Sequence, residues 1–319
     1  MIFNKEELAA IEEMVERKDI ASMEAMRNGS PQHARAKVGF VRSALMVSGH
    51  RVKHLNRLDD LGADMAILNL EDGVAAELKE TALHLIGLFL GRAERIFSKT
   101  VVRINPIESG GRDEIAYLNT VLPDAIRVPK IKSAADVEEA LELVDERICL
   151  HLSIETKEAW RALDSLRLSP RVEAFYLGVY DLLASMNLPI SVMQLHNPTM
   201  LAILSRFLLE SSVLGVLPVS FVYQEYNDVD GFENWCLLEK KMGYHAKGCI
   251  SPLQAEIANR VFMPDEEERL WAQRVVELFE SRDDSSGFAD EELGFVDEPI
   301  YKNAKNILAL FKRLEQQNS

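Results

Sequence analysis

The stretch A-I-L-N-L-E-D-G-V-A-A-E-L-K, Ala66–Lys79, decides the fold. An apolar run ends abruptly in Asn69, Glu71 and Asp72, Gly73 follows, and a helix-forming segment begins. This is the pattern of a buried strand that delivers carboxylates to its C-terminal end and turns into a helix. The same construction recurs along the chain, each time with a different polar residue at the tip.

Working outward, apolar strand-like runs are predicted at Val41–Val47, Met65–Leu70, Thr100–Ile104, Ala125–Pro129, Cys149–Ile154, Ala174–Val179, Leu217–Tyr223 and Lys247–Ile250. Helical periodicity separates most of them, over Val52–Leu61, Glu77–Phe97, Ala134–Val144, Lys157–Leu166, Met200–Leu214 and Phe232–Met242. Strands alternating with helices imply parallel pairing. Strands covered on both faces read as nearly continuous Val/Ile/Leu runs, as these do. Eight such units predict an α/β fold, a (β/α)8 TIM barrel. The alternative is an open doubly wound sheet, but the G-x-G-x-x-G turn that would favour a dinucleotide fold is absent after the first run.

Two extensions flank the barrel. Residues 1–35 read as an N-terminal helical extension, an acidic helix over 4–28 followed by a polar gap at Asn28–Gln32. The barrel domain is expected over 36–282, closing with a helix from Met263 to about Ser281 whose first turn carries Pro264 and the acids Asp265–Glu268. A hinge composition at Asp283–Gly287 then leads to a C-terminal helical lid segment, 283–319, with a last amphipathic helix over Tyr301–Leu314.

Composition narrows the function. The 319 residues carry a net charge of −15, which disfavours nucleic acid as a partner. No apolar run is long enough to span a bilayer, and the N-terminus is acidic and amphipathic, unlike a secretory signal. Cys149, Cys236 and Cys249 are scattered with no metal or disulfide spacing, as expected of reduced thiols in a cytoplasm.

In a barrel of this type the active site sits at the C-terminal ends of the strands. Residues at i and i+2 share a face, so pointing each tip inward fixes a register. That places Asn69 and Glu71 inward on the second strand and Val101, Arg103 and Asn105 on the third. It places Ile126, Val128 and Lys130 on the fourth, and His151, Ser153 and Glu155 on the fifth. Val179 and Asp181 follow on the sixth, and Cys249 and Ser251 on the eighth. Four acids (Glu71, Asp72, Glu155, Asp181) then converge on one mouth with Arg103 and Lys130. Carboxylates in close quarters repel unless a cation compensates. A hard divalent ion that takes one or two protein carboxylates answers this, and Glu155 and Asp181, on adjacent strands, suit it. Arg103 suits a bidentate pair with a substrate carboxylate. Taken singly, each of these residues is more often a helix cap or a surface ion pair, and His151 and the cysteines are more often core. Their coincidence at successive tips shifts the balance.

These stretches, in order, resemble the citrate lyase beta-subunit-like family, which includes malyl-CoA and citramalyl-CoA lyases, within the metal-dependent oxo-acid aldolases. The resemblance rests on Arg42-Ser43 with Ser48-Gly49, on Leu68–Val74, on Val102–Pro106 and on Val128–Ile131 with Ser133. It continues through Ile154–Thr156, Gly178–Leu182, Gly243–Lys247, Ile250–Gln254 and Val296–Pro299, from about residue 40 to the end of the chain. It implies a barrel assembled as a homotrimer or hexamer whose C-terminal segment covers a neighbour's site. It implies Glu155 and Asp181 as Mg2+ ligands, Arg103 as the residue that binds the oxo acid and steadies the enolate, and Glu71 and Asp72 as an acidic pair beside the metal. It implies Asp297 as a catalytic acid acting across subunits and Lys79 as a basic residue near the phosphates of coenzyme A. Departures fall at Ser48, Asn69, Tyr180 and Ser251, where the family usually has Pro, Asp, a small or acidic residue, and His.

The expected function is a Mg2+-dependent carbon–carbon lyase that cleaves or forms a short 3-hydroxy-acyl-CoA such as malyl-, citramalyl- or citryl-CoA. The alternatives are a metal-dependent aldolase on free hydroxy-oxo acids and a catalytically altered barrel that binds a metal and a carboxylate.

Overall fold

The computed structural model describes residues 1–27, 38–93, 96–282 and 287–318. The polar gap expected at Asn28–Gln32 and all but Gly287 of the expected hinge lie outside them. The chain forms two compact units. The first runs to Phe262; the second comprises a short stretch ahead of Val41 and the chain from Met263 onward.

The first unit opens with α1 (Lys5–Arg17) and α2 (Ile20–Met26), which read in the sequence as one helix. Lys18 separates them in the left-handed conformation at φ 52°, and Asp19 caps the second. Then come β1 (Ser43–Ser48), α3 (Val52–Leu55), β2 (Met65–Asn69), α4 (Lys79–Arg92), β3 (Lys99–Arg103), α5 (Gly111–Val121) and β4 (Ala125–Val128). They continue as α6 (Ala134–Leu143), β5 (Cys149–Ile154), α7 (Lys157–Arg161), β6 (Val172–Leu177), α8 (Val179–Ser185) and α9 (Pro198–Leu214). β7 (Leu217–Ser220), α10 (Val229–Met242), β8 (Ala246–Cys249) and α11 (Pro252–Val261) complete the unit. The eight strands pair in parallel, in chain order, into a closed barrel. The expected (β/α)8 architecture is the one observed, and the open sheet is excluded.

The barrel has two apolar zones. Outward side chains such as Leu68, Val102, Ile126, Leu150 and Phe175 pack with the helices into one continuous core. The inward face is marked by contacts across the barrel: the Tyr176 hydroxyl reaches Met65 Sδ at 3.3 Å, from β6 to β2. Strand pairing sets Asn69 beside Arg103, Arg103 beside Arg127, and Arg127 beside His151, so one polar girdle crosses four strands. Between β8 and α10 a fully buried pair, Lys247 Nζ to Glu239 Oε1 at 2.6 Å, points outward from the barrel, with the ammonium 3.8 Å from the Phe221 ring centre.

Three registers differ from the sequence reading. On β4 the inward residues are Ala125 and Arg127, not Ile126 and Val128, which belong to the outer core. On β8 they are Ala246 and Gly248: Lys247 pairs with α10, so Cys249 also faces the helices. On β6 the inward residue is Tyr176, opposite in parity to Val179: the strand ends at Leu177, Val179 opens α8 and packs in the outer core, and Asp181 lies in the first turn of that helix.

The second unit contains α12 (Glu266–Glu280), which the sequence reading counted with the barrel, then β9 (Phe288–Asp290), β10 (Gly294–Val296) and α13 (Glu298–Asn318). β9 and β10 form an antiparallel hairpin. Ala272, Val275, Val296 and Ala304 make its small core. Among the described residues no helix is long and apolar enough to cross a membrane.

Candidate active site

The tips of β2 through β6 bring six of the expected residues to one mouth. Arg103, at the end of β3, is its hub. Its guanidinium contacts Glu71 Oε2 closely, lies 3.4 Å from Asp72 Oδ2 and 3.8 Å from Glu155 Oε2. Glu71 is only 5% exposed, whereas the Asp72 side chain is 72% exposed. Burial pushes the Glu71 carboxyl up to about 7; Arg103 opposes this, and the neighbouring Glu155 and Asp72 reinforce it. Glu71 is therefore a carboxyl poised to exchange a proton near neutral pH.

Glu155 directly follows β5 and is buried. Its Oε1 accepts the Lys130 backbone N–H at 2.8 Å and lies 3.6 Å from Lys130 Nζ. The same ammonium reaches Asp181 Oδ1 at 2.9 Å. Lys130 stands just past β4 at φ 56°, and this left-handed turn aims both its N–H and its side chain at the two carboxylates. Burial works against the Lys130 charge, but Asp181 and Glu155 outweigh it and raise its pKa.

The Lys130 ammonium thus bridges Glu155 and Asp181, and these two carboxylates are the ones suited to hold a divalent ion. A side chain at Gly178 would place its Cβ 2.5 Å from Glu155 Cβ and 2.7 Å from Oε2. Glycine there keeps open the space beside the carboxylate. Mg2+ takes one or two carboxylates and completes its shell with water and substrate, so the donor set fits. Among the described residues no group of three or more His, Cys, Asp or Glu is placed to hold a metal.

Other expected residues have local partners. The ammonium of Lys79, the first residue of α4, donates to Asn105 Oδ1. The Asn105 amide in turn is fixed by Glu114 and by the Leu70 carbonyl at 3.2 Å. Asp297 belongs to the second unit, where its Oδ1 accepts the Ile300 N–H at 3.2 Å at the start of α13. Asn69 donates its amide to the Asp72 carbonyl and accepts the Glu71 N–H at 3.3 Å, so it shapes the turn that presents both acids. Ser48 Oγ lies 2.9 Å from His50 Nδ1, and Ser251 caps α11 by accepting the Gln254 N–H at 3.2 Å.

Sequence reasoning missed Arg127. It lies inside the barrel, paired with Arg103 across the strands, its Nε donating to Ser153 Oγ at 2.8 Å and its Cζ 4.1 Å from the Tyr176 ring centre. His151 Nδ1 lies 3.0 Å from the Tyr176 hydroxyl. Burial brings His151 down to about 4, so it is neutral, a core histidine as expected.

A closed parallel barrel with an acid-rich mouth answered by a guanidinium and an ammonium defines the class: a (β/α)8 protein with its ionisable groups gathered at the C-terminal ends of the strands. The chain belongs to the HpcH/HpaI aldolase/citrate lyase family, whose profile matches residues 42–252. Citrate lyases and citramalyl-CoA lyases, both enzymes, are its relatives. It is 31% identical over 243 residues to the (3S)-malyl-CoA thioesterase of Cereibacter sphaeroides, covering 75% of this chain and 83% of that one. It is 24% identical over 302 residues to the mitochondrial citramalyl-CoA lyase of Rattus norvegicus, covering 86% and 87%. A crystal structure of CitE from Mycobacterium tuberculosis in complex with magnesium, acetoacetate and coenzyme A matches with TM-score 0.66 and 25% identity, over 85% of this chain and 98% of that one.

Proposed function

We propose that this protein is a Mg2+-dependent carbon–carbon lyase acting on a short 3-hydroxy-acyl-CoA such as malyl-, citramalyl- or citryl-CoA. The observation that carries the reading is the pairing of Glu155 and Asp181 through one cation beside the Arg103–Glu71 pair. The magnesium and coenzyme A in the Mycobacterium tuberculosis relative support it.

Glu155 and Asp181 would hold the ion. When bound, Mg2+ supplies Lewis acidity that draws electron density from the substrate's oxygens. The remaining work falls to side chains. Arg103 is a fixed cation that binds the oxo-acid carboxylate and faces the charge that develops on the departing enolate. Glu71, with its carboxyl near neutrality, takes the proton of the 3-hydroxyl as the carbon–carbon bond breaks and returns it in the reverse direction. Asp72 keeps a second acceptor at the rim. Asp297, from a neighbouring copy in a trimer or hexamer, exchanges a proton with the enolate carbon. Lys79 supplies a basic group for the phosphates of coenzyme A.

The test is product formation. Purified protein with Mg2+ and a panel of the three thioesters should release an oxo acid and a shorter acyl-CoA, and no oxo acid from any of them refutes the reading. Glu155→Gln or Asp181→Asn should remove the stabilisation that Mg2+ gives, read by calorimetry. Mixing Asp297→Ala with Arg103→Ala chains should restore partial activity in reassembled oligomers. A second reading, thioester hydrolysis, draws on the 31% identical malyl-CoA thioesterase. It predicts free hydroxy acid and coenzyme A in place of the oxo acid, so the same product analysis separates the two.

A further inference from the structure

Two arginines are paired across adjacent strands inside the barrel, and among the described residues only one of them meets a carboxylate. β3 and β4 pair Arg103 directly with Arg127, and both face inward. Arg103 meets Glu71, Asp72 and Glu155. Arg127 is 6% exposed, and among the described residues no carboxylate lies within ion-pair distance of it. Its partners are neutral: the Ser153 hydroxyl at 2.8 Å and the Tyr176 ring at 4.1 Å. Burial pushes the Tyr176 phenol up and His151 down to about 4, so neither contributes a charge at neutral pH. Glu155 and Glu71 attract Arg127 only from beyond ion-pair distance, and both already face Arg103.

A buried cation is costly unless an anion is brought to it. Burial and the like charge of Arg103 lower Arg127 to about 10, which still leaves it charged at neutral pH. A hydroxyl and an aromatic face solvate a guanidinium without neutralising it. A methionine would fill the same space among Ser153, Tyr176 and the barrel wall with no such cost. The charge therefore has a use that packing does not explain, and its neighbours are the residues that receive the substrate.

We propose that Arg127 is a specificity-determining residue whose guanidinium receives a second carboxylate of the substrate, beyond the one held by Arg103, so that the site selects oxo acids with two carboxylates over those with one. This deepens the lyase reading and rests on it for the ligand being an oxo acid. The pairing supports it: adjacent strands carry the two arginines at directly paired positions, and a dicarboxylate is the ligand that answers both.

The test measures binding, without coenzyme A, to Mg2+-loaded full-length protein by calorimetry. Oxaloacetate and ketomalonate are compared with pyruvate and glyoxylate in wild type, Arg127→Met and Arg127→Lys. Wild type should bind the dicarboxylates about tenfold or more tightly than the monocarboxylates. Arg127→Met should erase that ratio by weakening the dicarboxylates alone, and Arg127→Lys should keep part of it. The ligand-free Arg127→Met protein should melt no lower than wild type, because it loses an unanswered buried charge. The assignment is overturned if wild type shows no such preference or if Arg127→Met retains it. It is equally overturned if Arg127→Met weakens both classes alike and melts lower, the signature of a structural role. An Arg127-dependent preference in a protein that cleaves no thioester would sink the lyase reading and leave the assignment standing; cleavage without that preference would do the reverse.

Discussion

Replacing Glu71 with Gln should change how stability depends on pH, in a direction that the burial of the carboxyl dictates. In the folded chain this carboxyl titrates near 7, against 4.5 when unfolded, because burial penalises its charge more than Arg103 relieves it. Between those values the folded state keeps a proton that the unfolded state releases, so this residue makes the wild type progressively less stable as pH rises through the window. Below 4.5 both states are protonated and the contribution vanishes. The gap from 4.5 to about 7, at about 1.4 kcal/mol per pH unit, amounts to about 3 kcal/mol fully developed at pH 8. Glutamine does not titrate. The stability of Glu71→Gln minus that of wild type should therefore grow by about 2–3 kcal/mol from pH 5 to pH 8, whatever its value at either end. Urea unfolding of both proteins with divalent ions chelated measures this, since the other titrating groups are common to the two chains. A difference constant to within about 0.5 kcal/mol, or one that shrinks as pH rises, would refute a buried, proton-holding Glu71.

Three further perturbations test other parts of the frame. Gly178→Ala would press a methyl to 2.5 Å from Glu155 Cβ; it should cost about 1–3 kcal/mol in urea unfolding and weaken Mg2+-dependent stabilisation in calorimetry. Lys247→Met leaves Glu239 buried without its counter-charge, for a loss of about 3–5 kcal/mol, whereas the Lys247→Met/Glu239→Leu pair should recover most of it. Glu24 on α2 accepts the Tyr117 hydroxyl at 2.5 Å and lies 2.7 Å from His84 Nδ1, so Glu24→Ala should cost about 1–3 kcal/mol and speed hydrogen exchange in α1 and α2 while the barrel amides keep their protection.

The barrel was legible because its strands are covered on both faces and so declare themselves as apolar runs, and because the acids break those runs at the tips. The register was legible only where the strand stays regular up to its tip. On β2, β3 and β5, counting back by twos from Glu71, Asn105 and Glu155 lands on the true inward face. On β4 the count from Lys130 fails. The strand stops at Val128, Pro129 intervenes, and Lys130 adopts φ 56°, so its side chain returns to the mouth from the opposite parity. That error concealed Arg127, which looked like an outward residue. On β8 the tip itself misled, since Ser251 is a helix cap outside the strand. α5 went unread because its start, Gly110-Gly111, has the composition of a break, and the β9–β10 hairpin because three-residue strands carry no period.

The acidity of the whole chain says little about this mouth. A net charge of −15 spread over the surface argues against polyanionic partners, yet the mouth sets three cations, Arg103, Lys130 and Arg127, among four carboxylates. Glu71, Asp72 and Glu155 face Arg103, and Glu155 and Asp181 face Lys130. Of the three cations Arg127 alone has, among the described residues, no carboxylate within ion-pair distance. A ligand that brings one carboxylate to Arg103 and a second to Arg127 is the one that uses both, and the Arg127→Met comparison examines that directly.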